Sequence, residues 1–201
     1  MKLGNNKINK KSNPFALFNE WYEEAKRKEI KNPNAMALST IDSFDRPRTR
    51  MVLMKEIKKK GIVFYTNSQS YKGKQIDKNK NASLCFYWKS LGKQIIIQGK
   101  VNKINEIESD KYFHSRDKKS KIGAWASDQS KVLKSRLILE KKYNDFFNKF
   151  SGKEVPRPNY WNGYCVEPRT FEFWLERQNR LHERVEYNLN KNKWSRRFLY
   201  P

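Results

Sequence analysis

The sequence predicts an α+β domain in which an antiparallel sheet curls into a barrel and helices flank it. Three observations carry this. Short stretches of period-2 alternation fill residues 35–104 and return from Tyr164 onward, with turn-forming residues between them. Helical spacing opens the chain and recurs between the two strand-rich parts, over 106–116 and 131–150. A length of 201 residues, 37% hydrophobic and 14% aromatic, suits one domain with a packed core despite 32% charged residues.

Residues 1–12 read as a mobile basic tail ahead of a single domain over 13–201. Asn13-Pro14 supplies an N-cap and a proline at the first helical position, and Phe15, Phe18, Trp21, Tyr22 and Ala25 carry an amphipathic helix to about Ile30. Asn32-Pro33-Asn34 ends it. Strands over 35–41, 48–56 and 62–66 with polar turns between them form a meander. A short helix over 71–79 precedes strands at 83–87 and 94–104 around a turn at 90–93. The helix over 106–116 opens with acidic residues, as a helix N-terminus favours. Residues 122–130 read as a connector of small and polar residues. The helix over 131–150 has Val132, Leu133, Leu137, Tyr143, Phe147 and Phe150 on an apolar face. After a loop over 156–163, strands resume and run through a turn at 190–193 to the end.

The formal net charge of +23 admits nucleic acid or another anionic partner. Its lysines are scattered among asparagines, as A/T-rich codon usage would produce, and carry no nucleic-acid motif, so they give no ground for specific nucleic-acid binding. The arginines cluster instead, at Arg46, Arg48 and Arg50 and again at Arg177, Arg180, Arg184, Arg196 and Arg197. A planar guanidinium fork suits phosphate, so the arginines mark where function is sought. Cys85 and Cys165 are isolated and fit free thiols in a reducing compartment; the cytoplasm is expected. No stretch has the length and apolarity of a membrane span, and no glycine-rich phosphate loop, dinucleotide fingerprint, zinc spacing or GxSxG is present.

Three stretches stand out. In the strand from Arg50 to Lys55, Arg50, Val52 and Met54 share one face, and Met51, Leu53 and Lys55 share the other. Tyr112, Arg116 and Ser120 fall at i, i+4 and i+8, so a continuous helix would line them up as a phosphate cradle, or equally as a solvated polar face. Residues 171–187 read as a hairpin whose loop holds Arg177, Arg180, His182 and Arg184.

Five motifs in order, RMVLMK at 50–55, FYTN at 64–67, KYFHSR at 111–116, IGAWAS-x-QS at 122–130 and FEFW…RLHER over 171–184, resemble the pyridoxine/pyridoxamine 5'-phosphate oxidase family. The resemblance runs from Asn13 to Pro201. It implies an FMN-binding split barrel, a homodimer with FMN at the interface, and oxidation of pyridoxine or pyridoxamine 5'-phosphate to pyridoxal 5'-phosphate with O2 as acceptor and hydrogen peroxide as product. Carried over by residue, it implies FMN contacts at Arg50, Met51, Val52, Leu53, Met54, Lys55, Tyr65, Thr66, Lys72, Gln94, Gln129, Ser130, Trp174 and Arg184. Lys55, Tyr112, Arg116 and Ser120 would hold the substrate phosphate. Arg180 and His182, with Leu181 between them, would lie over the pyridine ring as the catalytic pair. One departure concerns the flavin: Tyr71 stands before Lys72 where the family has arginine, leaving a phosphate contact missing or supplied by Lys74 or another lysine.

Overall fold

A computed structural model describes residues 7–201. Helix α1 (Pro14–Lys28) starts as the sequence predicts, with the Asn13 side chain accepting from Phe15 N at 3.0 Å. Nine strands follow: β1 (Ala35–Ile41), β2 (Pro47–Leu53), β3 (Glu56–Lys58), β4 (Gly61–Asn67), β5 (Asn81–Trp88), β6 (Lys93–Lys103), β7 (Trp161–Leu175), β8 (Glu183–Asn190) and β9 (Lys193–Leu199). Between them lie α2 (Tyr71–Lys78), α3 (Glu106–His114), α4 (Lys118–Ala126) and α5 (Arg136–Lys149). All strand pairs are antiparallel, in the order β2-β1-β5-β6-β7-β4-β3, with β8 on β7 and β9 on β8.

The curl comes from β7. Its first part, from Trp161 to Val166, pairs with β4, and its last part, from Thr170 to Leu175, pairs with β8, while β6 runs along its other edge. The register against β6 slips between Gln98 and Gly99. A Cβ on Gly99 would stand 2.0 Å from the Glu167 carbonyl oxygen, so only glycine allows this bend.

Alternation then sorts the faces. Leu38, Leu84, Phe86, Ile95, Ile97, Phe171, Phe173, Val185 and Tyr187 point inward and are buried. Helix α1 closes this core, with Phe18 edge-on to Phe86 at 5.2 Å and Trp21 edge-on to Phe173 at 5.3 Å. Each such ring contributes roughly 1.5–3 kcal/mol by leaving water. A smaller core of Phe113, Ile122, Phe150, Val155 and Trp161 lies where α3 and α4 cover the first part of β7.

Four expectations change. Within the stretch read as a mobile tail, residues 1–6 lie outside the described residues. Residues 7–12, however, are docked: Ile8 is buried, its N–H donates to Glu183 at 2.9 Å, and Tyr187 donates to the Lys11 carbonyl at 2.8 Å. The expected strand over 48–56 divides into β2 and β3, because Met54 donates to Asn34 O and Lys55 to Val63 O, turning the chain between partners. The connector over 122–130 is helical up to Ala126, capped by Asp117. Finally, α5 starts at Arg136, so Val132 and Leu133 precede it; Tyr143 and Phe146 pack against the smaller core and Phe150 at the helix end is buried, while Leu137, 73% exposed, Ile138 and Phe147 stay open within one chain.

Candidate functional site

A cleft of 860 Å³ opens between the barrel and the helices. Strand β2 brings Arg50, Met51, Val52 and Leu53 to it, and Lys55 follows; β4 brings Tyr65, Thr66 and Asn67, and α2 brings Lys72. Tyr112, Arg116, Ser120 and Gln129 complete the wall with Trp161. The pleat of β2 explains the first group: Arg50 and Val52 are half-buried while Met51 and Leu53 are exposed.

Four cations, Arg50, Lys55, Lys72 and Arg116, line this cleft against a single carboxylate, Asp117. That carboxylate is committed to capping α4: it accepts from Ser120 N at 2.8 Å, and hydrogen bonds from Ser120 hold its pKa below the usual range. Lys72 is 9% exposed, and its Nζ donates to Thr66 at 3.0 Å and Gln129 at 3.2 Å, both neutral. Burial, with Arg50 adding to it, pushes the Lys72 pKa down to about 8. Arg50 folds back to donate to Leu38 O at 3.0 Å, Thr40 Oγ1 at 2.6 Å and Gln75 Oε1 at 3.3 Å; burial and then Arg48 lower its pKa.

The other end of the cleft is aromatic. Tyr65 stacks on Tyr112 at 4.1 Å and on Trp161 at 5.1 Å. Burial first, then Glu56, pushes the Tyr65 phenol up to about 12, so its O–H remains a donor at neutral pH. The Arg116 guanidinium lies 4.9 Å over the Trp161 ring, and its buried NH1 has no hydrogen-bond partner among the described residues. Lys55 Nζ stands 5.9 Å from the Tyr112 ring centre. Buried cations with only neutral hydrogen-bond partners suit an anion. The cleft offers two anchors, one around Lys72, Thr66, Gln129 and Arg50, the other around Arg116, Ser120, Tyr112 and Lys55.

The expected stripe of Tyr112, Arg116 and Ser120 is not one helical face. The helix stops at Ser115 and restarts after Asp117, so a turn between α3 and α4 aims the three side chains into the cleft. Met54 does not join its neighbours, because the chain turns after Leu53 and its side chain enters the core, where it is 3% exposed. Ser130 is exposed, with φ at 73°, and does not line the cleft. Asn67, Ser115 and Ser127, inside the quoted motifs but given no contact there, also line the cleft, as does Trp161, which has no mark in the sequence; a lone tryptophan among prolines and asparagines carries no periodic signal.

The remaining residues gather elsewhere. Strand register sets Gln94 opposite Trp174 and Trp174 opposite Arg184, one row across the outer face of β6, β7 and β8. Arg184 donates to Glu172 at 2.8 Å and to the Tyr200 carbonyl at 2.8 Å; Glu172 raises its pKa. The hairpin loop turns through Asn179 and Arg180, both with positive φ, leaving Arg180 exposed. His182 packs 4.6 Å from Trp174, and its Nδ1 accepts from Arg177 N at 3.2 Å, which puts the neutral ring's proton on Nε2. Leu181, His182 and Arg184 line a second cleft of 580 Å³, and no hydrogen bond or ion pair among the described residues joins it to the first.

Residues 22–150 match the family model described as pyridoxamine 5'-phosphate oxidase, and residues 161–201 match the pyridoxine 5'-phosphate oxidase C-terminal dimerisation region. The pyridoxine/pyridoxamine 5'-phosphate oxidase of Caulobacter vibrioides is 48% identical over 94% of this chain and 85% of its own length. That of Bartonella quintana is 48% identical over 94% and 92%. PhzG from Burkholderia lata, solved with tetrahydrophenazine-1-carboxylic acid, matches with a TM-score of 0.90 at 32% identity, over 95% of this chain and 94% of that one. An FMN-binding, pyridoxamine 5'-phosphate oxidase-related protein from Nostoc punctiforme shares the fold, with a TM-score of 0.75 at 15% identity over 96% and 100%.

Proposed function

The chain belongs to the pyridoxine/pyridoxamine 5'-phosphate oxidase family, and from that premise we propose that it oxidises pyridoxine or pyridoxamine 5'-phosphate to pyridoxal 5'-phosphate. FMN, when bound, supplies the two-electron acceptor and passes the electrons to O2, giving hydrogen peroxide. The observation that carries this reading is the pair of anion anchors in one cleft, with Lys72 buried without a carboxylate and Arg116 holding an unpaired NH1. Two phosphorylated molecules in contact need two such anchors.

The residues present fit the cofactor. Lys72, Arg50, Thr66 and Gln129 would hold its phosphate, and residues 51–53 with Tyr65 would border the rest. Arg116, Ser120, Tyr112 and Lys55 would hold the substrate phosphate and so fix the reacting carbon in place. Gln94, Trp174 and Arg184 would contact the flavin, and Arg180, Leu181 and His182 would cover the pyridine ring. Ser130, beside Gln129, keeps only a backbone role, as does Met54. His182, with Nδ1 engaged by Arg177, offers Nε2–H toward the ring; Arg180 adds positive charge. Both orient substrate and assist proton transfer rather than act as strong bases.

Because Leu181, His182 and Arg184 line a different cleft of one chain from Lys72 and Arg116, and Gln94 and Trp174 lie in the row across the outer sheet face, the site is completed across a homodimer, each subunit giving its cleft to the other's hairpin. The exposed apolar side of α5 and the outer-face residues Met51, Leu53 and Tyr87 fit a surface covered in such a dimer. Among the described residues, no helix is long and apolar enough to cross a membrane.

The test is spectroscopic. Purified protein is expected to be yellow, to bleach on anaerobic addition of pyridoxamine 5'-phosphate, and to consume O2 with release of ammonia. A colourless protein that FMN does not reconstitute would refute the proposal. The likeness to PhzG motivates one other reading, a related flavoprotein with a substrate lacking phosphate. In that case removing the Arg116 side chain leaves turnover intact.

A further inference from the structure

Resting on the reading that the first cleft holds FMN, we propose that Arg48, steadied on the ring of Tyr71, is a further anchor for the cofactor's phosphate. Arg48 and Arg50 leave β2 on the same face, two residues apart. Thr40 stands opposite Arg48 in the strand register, and the Arg50 guanidinium folds back to donate to that same Thr40 at 2.6 Å. The two head groups therefore share one corner of the sheet. The Arg48 guanidinium lies 4.5 Å from the centre of the Tyr71 ring, and Tyr71 is the residue before Lys72 on α2. The contact thus ties β2 to α2 at the place where Arg50 and Lys72 already converge.

Like charges do not gather without cause. Arg48, Arg50 and Lys72 make no ion pair among the described residues, whereas nearby Arg46 is held by Asp42 at 2.9 Å. A phosphate dianion would relieve that repulsion. A guanidinium can lie flat on a ring and still present an N–H edge, which a lysine ammonium cannot do. Tyr71 is a positioning residue here, fixing the plane of Arg48. Lys74, the other source of charge considered for this contact, is exposed on α2.

Flavin-free protein titrated with FMN and with riboflavin, followed by quenching of flavin fluorescence, tests this. R48A is expected to weaken FMN by about tenfold, the scale of one charge-assisted contact, and to leave riboflavin, which has no phosphate, unchanged. Y71L is expected to lose part of that factor, and R48A/Y71L no more than R48A alone, because Tyr71 acts through Arg48. FMN affinity within about twofold of the parent in R48A, equal losses for FMN and riboflavin, or additive losses in the double variant would overturn the inference. Failure of the parent protein itself to bind FMN would instead overturn the reading of the cleft.

Discussion

Replacing Lys72 by methionine is expected to stabilise the flavin-free protein while weakening its hold on FMN. Lys72 is nearly inaccessible, and burial followed by Arg50 lowers its pKa from 10.5 to about 8. That fall corresponds to about 3 kcal/mol of disfavour toward the charged form in the folded state. Methionine keeps the stem and drops the charge, at the loss of the hydrogen bonds to Thr66 and Gln129, which also bond to each other at 3.1 Å. A net gain of about 1–2 kcal/mol remains, or a rise of about 2–8 °C in Tm for a chain of this size. The sign with pH follows from the depressed pKa. The folded state binds the proton less readily than the unfolded one, so the penalty is fully present below about pH 8. It fades as pH rises toward 10.5, and the advantage of K72M fades with it. Thermal unfolding of both proteins without flavin, between pH 7 and 10, reads this directly. A variant less stable than the parent at pH 7, or a gain that does not change with pH, would refute the reasoning. FMN should then raise the parent's Tm by more than the variant's, since only the parent offers the buried cation.

Three further outcomes follow from the same geometry. R116A is expected to raise KM for pyridoxamine 5'-phosphate by about tenfold or more with FMN affinity unchanged, since the guanidinium on Trp161 serves the substrate anchor alone; steady-state kinetics and flavin titration separate the two. Mixing R116A and H182A proteins and allowing subunits to exchange should raise activity at low substrate above that of either variant alone, because a mixed dimer carries both changes in one site and neither in the other; no gain would place cleft and hairpin in the same subunit's site. The affinity for FMN should fall as pH rises above about 8, by at most about tenfold per pH unit, because the empty site has then released the Lys72 proton that the bound phosphate requires. Isothermal titration in buffers of different ionisation enthalpy would register that proton uptake, and its absence would remove Lys72 from the phosphate anchor.

Much of this molecule is legible in its sequence because the pleat and the cap are local. Asn13-Pro14 and the alternation through β1 and β8 state their own geometry, and clustered arginines mark both halves of the proposed site along the chain. What stays hidden is which elements face one another. The alternation of RMVLMK separates its faces correctly, yet only the turn after Leu53 decides that Met54 enters the core and Lys55 the cleft. Helical spacing joins Tyr112 to Ser120, yet Asp117 is a better cap than a mid-helix residue, so the chain breaks there and the break aims Arg116 at Trp161. Periodicity runs the apolar stripe of α5 back to Val132 and Leu133, which the helix starting at Arg136 leaves out, and it does not say whether the surface that covers Leu137 and Phe147 belongs to the same chain. The same gap governs function. Gln94, Trp174 and Arg184 become neighbours only through the register of β6, β7 and β8, and none of the three lines the first cleft. On the proposed reading, a chain that folds both halves of a site on separate surfaces encodes its partner in what it leaves uncovered: unpaired cations on one side, an aromatic and basic hairpin on the other.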